Sequence, residues 1–270
     1  MMNTTNDYTI SSVRRALGLL KLFEEHCELT LREVSELSGI GKSTALRLLY
    51  TLHREGFVAF DEDGKKYSLG LAVFRLGMKK FDNLDFRAIA LPRLKRLADA
   101  TGLVCYLGIE RENVLVMLEK VFPKTVPLWA QLMAQPGGTI PLYSTGIGRL
   151  FLARRSDAEV GKYLDAIQLK KFTSDTVTDR KALLELVRRA RREGVSCNQG
   201  ENEPYISAIC APIRNHKEAM VAGISVCGMK EVIYGSGHGS LMATLLAVAG
   251  EISGELGFGA SATTTQRETA

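Results

Sequence analysis

The sequence predicts an α+β protein in two parts. A winged helix-turn-helix spans residues 9–70, and a larger α+β domain spans residues 85–258, with a linker helix at 71–84 between them and a polar tail at 259–270. Three observations carry this reading. Gly39-Ile40-Gly41 interrupts two short stretches of helical apolar spacing. A polar turn containing Asp63-Gly64 lies between two strand-like runs. After Gly102 the apolar pattern changes from helical spacing to alternation.

The first helix is predicted over residues 10–25, with Val13, Ala16, Leu17, Leu20 and Phe23 on its packing stripe. The second helix carries Leu31, Val34, Leu37 and Ser38 inward. A glycine corner follows, because a tight turn needs positive φ. The third helix turns Ala45, Leu46, Leu49 and Leu52 to the core. Its other face shows Lys42, Ser43, Thr44, Arg47, Tyr50, Thr51 and Arg54, rich in hydrogen-bond donors and free of acids as far as Glu55.

A helix, a short turn and a basic second helix form a helix-turn-helix, whose second helix can enter the major groove of DNA. The hairpin predicted from runs 57–60 and 67–69 would be a wing, bringing Lys65 and Lys66 toward phosphate. An ordinary helical hairpin with a solvated face is the bland alternative, and the wing argues against it. Double-stranded operator DNA is therefore the expected partner.

At this point the chain resembles the IclR-type transcription regulators. The resemblance is carried by Ser12-Val13, Arg15-Ala16-Leu17, Leu20, Gly39-Ile40, Lys42-Ser43-Thr44, Arg47-Leu48-Leu49, Thr51-Leu52, Gly56 and Tyr67-Ser68-Leu69-Gly70, and it runs from Ser11 to Phe258. It implies a GAF- or PAS-like sensor fold for the second domain, and a regulator that binds symmetric operators as a dimer or dimer of dimers.

In the C-terminal half a helix is predicted over residues 86–100, with Leu91, Leu94, Leu97 and Ala98 buried. Strands follow at 104–109 and 114–121, then helices at 146–154, 157–166 and 179–193. The last helix carries Arg188, Arg189, Arg191 and Arg192, read as a solvated face because no aromatic residues interleave. A second hairpin at 206–213 and 219–227 precedes a closing helix at 239–256.

Alternation along the last strand sets Gly223, Ser225 and Cys227 on one face, and its neighbour adds Ala208 and Cys210. So many small side chains leave room for a ligand, where a core would be filled to native density. Gly146, Ile147 and Gly148 follow Thr145 at the start of a helix, where free N–H groups favour an anion. The resemblance places an effector motif there, with Arg149 where the family usually has Lys. It also brings in Asn198, Ala208, Ser225 and Cys227; an acid often stands at the position of Asn198 and a Cys at that of Ala208. Trp129, Tyr106, Tyr143 and Glu203 are further candidates for the pocket wall. The expected effector is a small carboxylate, a hydroxy acid or sugar acid, and the expected role is repression of a catabolic operon.

Composition narrows the alternatives. The 270 residues are 46% hydrophobic and 24% charged, as in ordinary globular proteins, with a net charge of only +5. No apolar run is long enough for a membrane span, and the N-terminus lacks signal-peptide order, so a cytoplasmic protein is expected. The five cysteines form no CxxC pair and the four histidines show no metal spacing, so neither cofactor nor metal is expected. The loop 235–239, Gly-Ser-Gly-His-Gly, fits neither GxGxxG nor GxSxG, and no acid–base pair stands out, so the chain does not read as an enzyme. A DNA-binding regulator without a small-molecule effector remains the second alternative.

Overall fold

The computed structural model describes residues 8–82, 85–126, 128, 130 and 134–259. Trp129 and the tail beyond Gly259 lie outside them. Two compact units divide after Leu84.

Unit 1 begins with α1 (Ser11–Leu22), β1 (Leu29–Thr30) and α2 (Leu31–Ser38). A capping box starts α2: the Thr30 hydroxyl accepts from the Glu33 N–H, and the Glu33 carboxylate takes the Thr30 N–H at 2.7 Å. That bond holds the Glu33 carboxyl below its ordinary pKa. Gly39, at φ +67°, ends α2. The corner is pinned by Ser35 and Ser38: Ser35 Oγ donates to the Ile40 carbonyl (2.7 Å), and Ser38 Oγ accepts from the Ile40 N–H (3.2 Å). Helix α3 (Lys42–Arg54) follows, then the wing, β2 (Val58–Asp61) and β3 (Lys66–Leu69), with β1 on the other side of β3.

The wing turn spans four residues, and its left-handed position is Lys65 (φ +52°). Gly64 is needed for a different reason. Its N–H meets Asp61 Oδ2 at 2.8 Å, and a Cβ there would stand 2.5 Å from that oxygen. After the wing, Gly70 passes against Gly56; a Cβ on Gly70 would lie 2.1 Å from the Gly56 carbonyl. Helix α4 (Leu71–Asp82) follows.

The core of unit 1 departs from the predicted stripes. Leu19 is fully buried and packs with Phe23, Val34, Ala45, Leu49 and Leu52. Val13 and Leu17, expected inside, are 51% and 54% exposed, and Leu37 and Leu46 are also exposed. Helix α1 is apolar on more than one face, so two stripes satisfy helical spacing. Packing against α2 and α3 selects the one through Leu19.

Unit 2 opens with α5 (Asp85–Thr101), closed by Gly102 at φ +69°. Strands β4 (Val104–Arg111) and β5 (Val114–Val121) form a hairpin through Glu112 and Asn113, both at positive φ, as a two-residue turn requires. Next come β6 (Thr139–Pro141), a single 3-10 turn at Leu142–Ser144, α6 (Gly146–Leu152), α7 (Asp157–Asp165) and α8 (Arg180–Glu193). Strands β7 (Ser196–Gln199), β8 (Ile206–Arg214) and β9 (Met220–Met229) precede α9 (Lys230–Ile233) and α10 (His238–Glu255). The sheet is antiparallel in the order β6-β5-β4-β9-β8-β7, with β7 as an edge.

Glycines let α6 lie directly on this sheet. A Cβ on Gly146 would stand 2.5 Å from Cys210 Sγ, and one on Gly223 would stand 2.5 Å from Ile147 Cγ2. The arginines of α8 are a charged, paired surface: Arg188 and Arg191 both meet Asp157, Arg189 meets Glu193, and Arg192 meets Glu185.

Candidate DNA-binding face and ligand cavity

On α3, about 100° per residue sets Ser43, Arg47, Tyr50 and Arg54 within a sector of about 60°, opposite the buried Ala45, Leu49 and Leu52. Lys42, Thr44 and Thr51 flank that sector, and all seven side chains are exposed. Leu46 joins this exposed face, where an apolar side chain suits a thymine methyl. Gly41 supplies no side-chain cap, so the N–H groups of Lys42 and Ser43 are left for an outside acceptor such as phosphate.

Two expected contacts are qualified by the structure. The Thr51 hydroxyl donates to the Arg47 carbonyl (3.0 Å), bonding within its own helix. Lys66 Nζ pairs with Glu28 at 3.1 Å, so an acid competes with phosphate for it, while Lys65 extends over the Phe60 ring at the wing. Arg14 and Arg15 were not anticipated. They line a cleft with Leu37, Ser38, Gly39, Gly41 and Thr44 at the helix-turn-helix corner. Reading α1 as a packing helix hid them; their signal was an adjacent basic pair on its exposed side.

In unit 2, a cavity of about 100 Å³ lies between α6 and the sheet. Gly146, Ile147, Asn198, Ala208, Ser225 and Cys227 line it, with Thr145, Tyr106 and Glu203. Strand register explains the convergence: Tyr106 faces Ser225 across β4 and β9, Cys227 faces Ala208, and Ala208 faces Asn198. Leu115, Met117, Ile140, Ile206 and Asn202 complete much of the wall. Their ordinary apolar patterning gave no sign of this in the sequence.

Gly148 does not line the cavity. Its N–H is taken by Thr145 Oγ1 at 2.9 Å, and its missing Cβ clears the Leu142 carbonyl, which that atom would approach to 2.3 Å. Tyr143 is buried, but its hydroxyl donates to the Lys170 carbonyl (2.7 Å), away from the cavity. Asn198 is less free than expected: it donates to the Ser144 carbonyl (2.7 Å) and accepts the Glu201 N–H (3.2 Å).

Arg149 explains that arrangement. It is 1% exposed, its Nε donates to the Tyr143 carbonyl (3.1 Å), another nitrogen donates to the Cys197 carbonyl (3.1 Å), and it forms an ion pair with buried Glu201. Thr176 Oγ1 donates to the Glu201 carbonyl at 2.6 Å. The segment between β7 and β8 is thereby fastened over the cavity.

Apart from Glu203, the polar groups that line the cavity are neutral in character. Burial pushes the Cys227 thiol up to about 11, against a smaller downward pull from Ser225, whose Oγ is 3.5 Å from the sulfur. Burial also raises the Cys210 thiol and the Tyr106 phenol. The Tyr106 hydroxyl is buried and has no hydrogen-bond partner among the described residues. No group of three or more possible metal ligands occurs among the described residues.

Comparison with known proteins now decides the family. The model of the bacterial transcriptional regulator IclR C-terminal domain matches residues 78–254, and that of the IclR helix-turn-helix domain matches residues 12–62. The chain belongs to the IclR family of transcriptional regulators. It is 32% identical to the HTH-type transcriptional regulator XynR of Escherichia coli over 218 residues, covering 80% of this chain and 85% of XynR. An IclR-type regulator of Alicyclobacillus acidocaldarius superposes with a TM-score of 0.79 at 30% identity, over 92% of this chain and 99% of that one. An IclR homologue of Microbacterium hydrocarbonoxydans, solved with 4-hydroxybenzoate, has the same fold at a TM-score of 0.80 and 23% identity, over 91% of this chain and 99% of that one. The family is one of DNA-binding regulators rather than catalysts. Among the described residues, no helix is long and apolar enough to cross a membrane.

Proposed function

We propose that this chain represses a catabolic operon by docking α3 in the major groove of a symmetric operator, and that it responds to a small carboxylate, a hydroxy acid or sugar acid, bound in the cavity under α6. The observation that carries the ligand reading is the cavity itself, walled by small residues such as Gly146 and Ala208 and by several uncharged polar groups. The N–H of Gly146 has no acceptor inside α6, that of Ile147 meets the Cys210 sulfur, and Ser225 adds a hydroxyl. Neutral donors converging on one point hold a carboxylate without a cation, as backbone N–H groups do at helix starts. At about 100 Å³ the space is smaller than the engineered cavity of about 150 Å³ that admits benzene, so it suits a ligand of about four to seven non-hydrogen atoms.

A homodimer is part of this reading. Val13 and Leu17 on α1, and Leu71, Phe74 and Leu76 on α4, leave apolar surface exposed on a small unit. Light scattering should give a dimer or larger at micromolar concentration; a monomer with intact operator binding would remove this part.

The deciding experiment is a thermal-shift screen of small acids, polyols and amines, followed by titration of operator affinity with the best hit. A carboxylate that raises the melting temperature and releases operator supports the reading. A neutral or cationic best ligand removes the carboxylate, and a hit that strengthens operator binding removes the repressor sense.

A further inference from the structure

We propose that Tyr106 and Glu203 together read a hydroxyl at the end of the effector remote from its carboxylate, and that Glu203 excludes a second carboxylate there. The effector is then a hydroxylated monocarboxylate and not a diacid. This rests on the reading of the cavity as the effector site.

The charge pattern of the wall is the first support. Among the described residues that line the cavity there is no Lys, Arg or His, and Glu203 is the one acid. A first carboxylate can be held by the neutral donors near α6. A second would face the Glu203 carboxylate with no cation among the described lining residues beside it.

The second support is Tyr106. It is 2% exposed, it lines the cavity, and its hydroxyl lacks a partner among the described residues. Buried hydroxyls without partners are uncommon, because the group has lost water and gained nothing. Burial, then Cys227, then Glu203 raise the phenol's pKa, so it stays protonated and can donate. The Glu203 carboxylate offers acceptor oxygens. An alcohol accepts from one and donates to the other at the same time, which a carboxylate cannot do.

Glu203 is also held in place. The Ile206 N–H bonds its carbonyl at 3.2 Å, and the adjoining Glu201 is anchored by Arg149 and Thr176. The backbone that carries Glu203 is therefore a fastened turn rather than a free loop.

The test is isothermal titration of the full-length protein with small acids paired by carbon count, glycolate against oxalate, and 3-hydroxypropionate and glycerate against malonate. Wild type should bind the monoacid of a pair at least about tenfold more tightly. Tyr106→Phe should weaken monoacids about tenfold and leave diacids nearly unchanged, and Glu203→Gln should bring the ratio toward one, both with unchanged melting temperature in the absence of ligand. Equal binding of mono- and diacids by wild type, or a ratio that Glu203→Gln does not move, overturns the assignment while leaving the carboxylate reading intact. If no acid of either kind binds and a polyol or amine does, the carboxylate reading itself fails.

Discussion

The two working surfaces of this chain are built on opposite terms. On α3, Ser43, Arg47, Tyr50 and Arg54 stand in solvent, and the helix is positioned by what lies behind it, Ala45, Leu49 and Leu52. Around the cavity of unit 2, Asn198, Ser225, Arg149 and Glu201 are inside, and the placing of Asn198 and Arg149 depends on hydrogen bonds to side chains and to backbone. An exposed donor costs little when unpaired because water serves it; a buried one must be satisfied by protein or ligand. Substitutions on α3 should thus act on binding and leave folding alone, whereas those around the cavity should couple the two.

The largest effect expected from this contrast is at Arg149. Arg149→Met leaves Glu201 buried and unpaired, and should destabilise unit 2 by about 3–5 kcal/mol. Replacing both, Arg149→Met with Glu201→Leu, should recover most of that loss. Calorimetry of the two variants checks this, and equal destabilisation in both would show that the pair's charges are not what matters.

Next is Ser225→Leu, which fills the cavity. It should abolish the ligand's influence on operator affinity, at an overpacking cost of about 1–3 kcal/mol, while operator binding without ligand persists. A full ligand response in this variant would place the effector elsewhere.

On the exposed side, Arg47→Ala and Thr44→Ala should each weaken specific operator binding by about 1–3 kcal/mol with no change in melting temperature. Footprints like wild type would remove α3 from its role. Lys65→Ala should weaken binding to all duplexes alike and lower the salt slope by about one. Lys66→Ala should do less than Lys65→Ala because Glu28 already engages Lys66.

The smallest effect expected is none. Among the described residues no His lines the cavity, and Cys227, with its thiol pushed up to about 11, stays protonated near neutrality. Proton uptake by the thiol then should not differ between free and bound protein, and affinity for a carboxylate should be flat between about pH 6 and 9. A slope in titrations across that range would reveal a group whose ionisation changes on binding.

Much of this was legible in the chain. Turn chemistry placed the corner at Gly39, alternation placed Ser225, Cys227 and Ala208 on one face, and both are local properties of backbone and period. Reading Gly148 as a ligand contact failed because glycine can serve a ligand or a neighbouring backbone, and only the Leu142 carbonyl shows which. Asn198 was read as a free donor because its partners, Ser144 and Glu201, are named by no spacing rule.

The sequence by itself left out the short strands β1, β6 and β7 but determined the longer helices, the hairpins and their turns, and which face of β8 and β9 carries small side chains. Those follow from propensities and periods that act within a few residues. The tertiary structure alone decided that Leu19 rather than Val13 and Leu17 enters the core, that Arg149 pairs with Glu201 across 52 positions, and that Tyr106 meets the cavity without a partner. Each is settled by which groups come together out of water, and burial is a property of the assembled chain, not of any stretch of it.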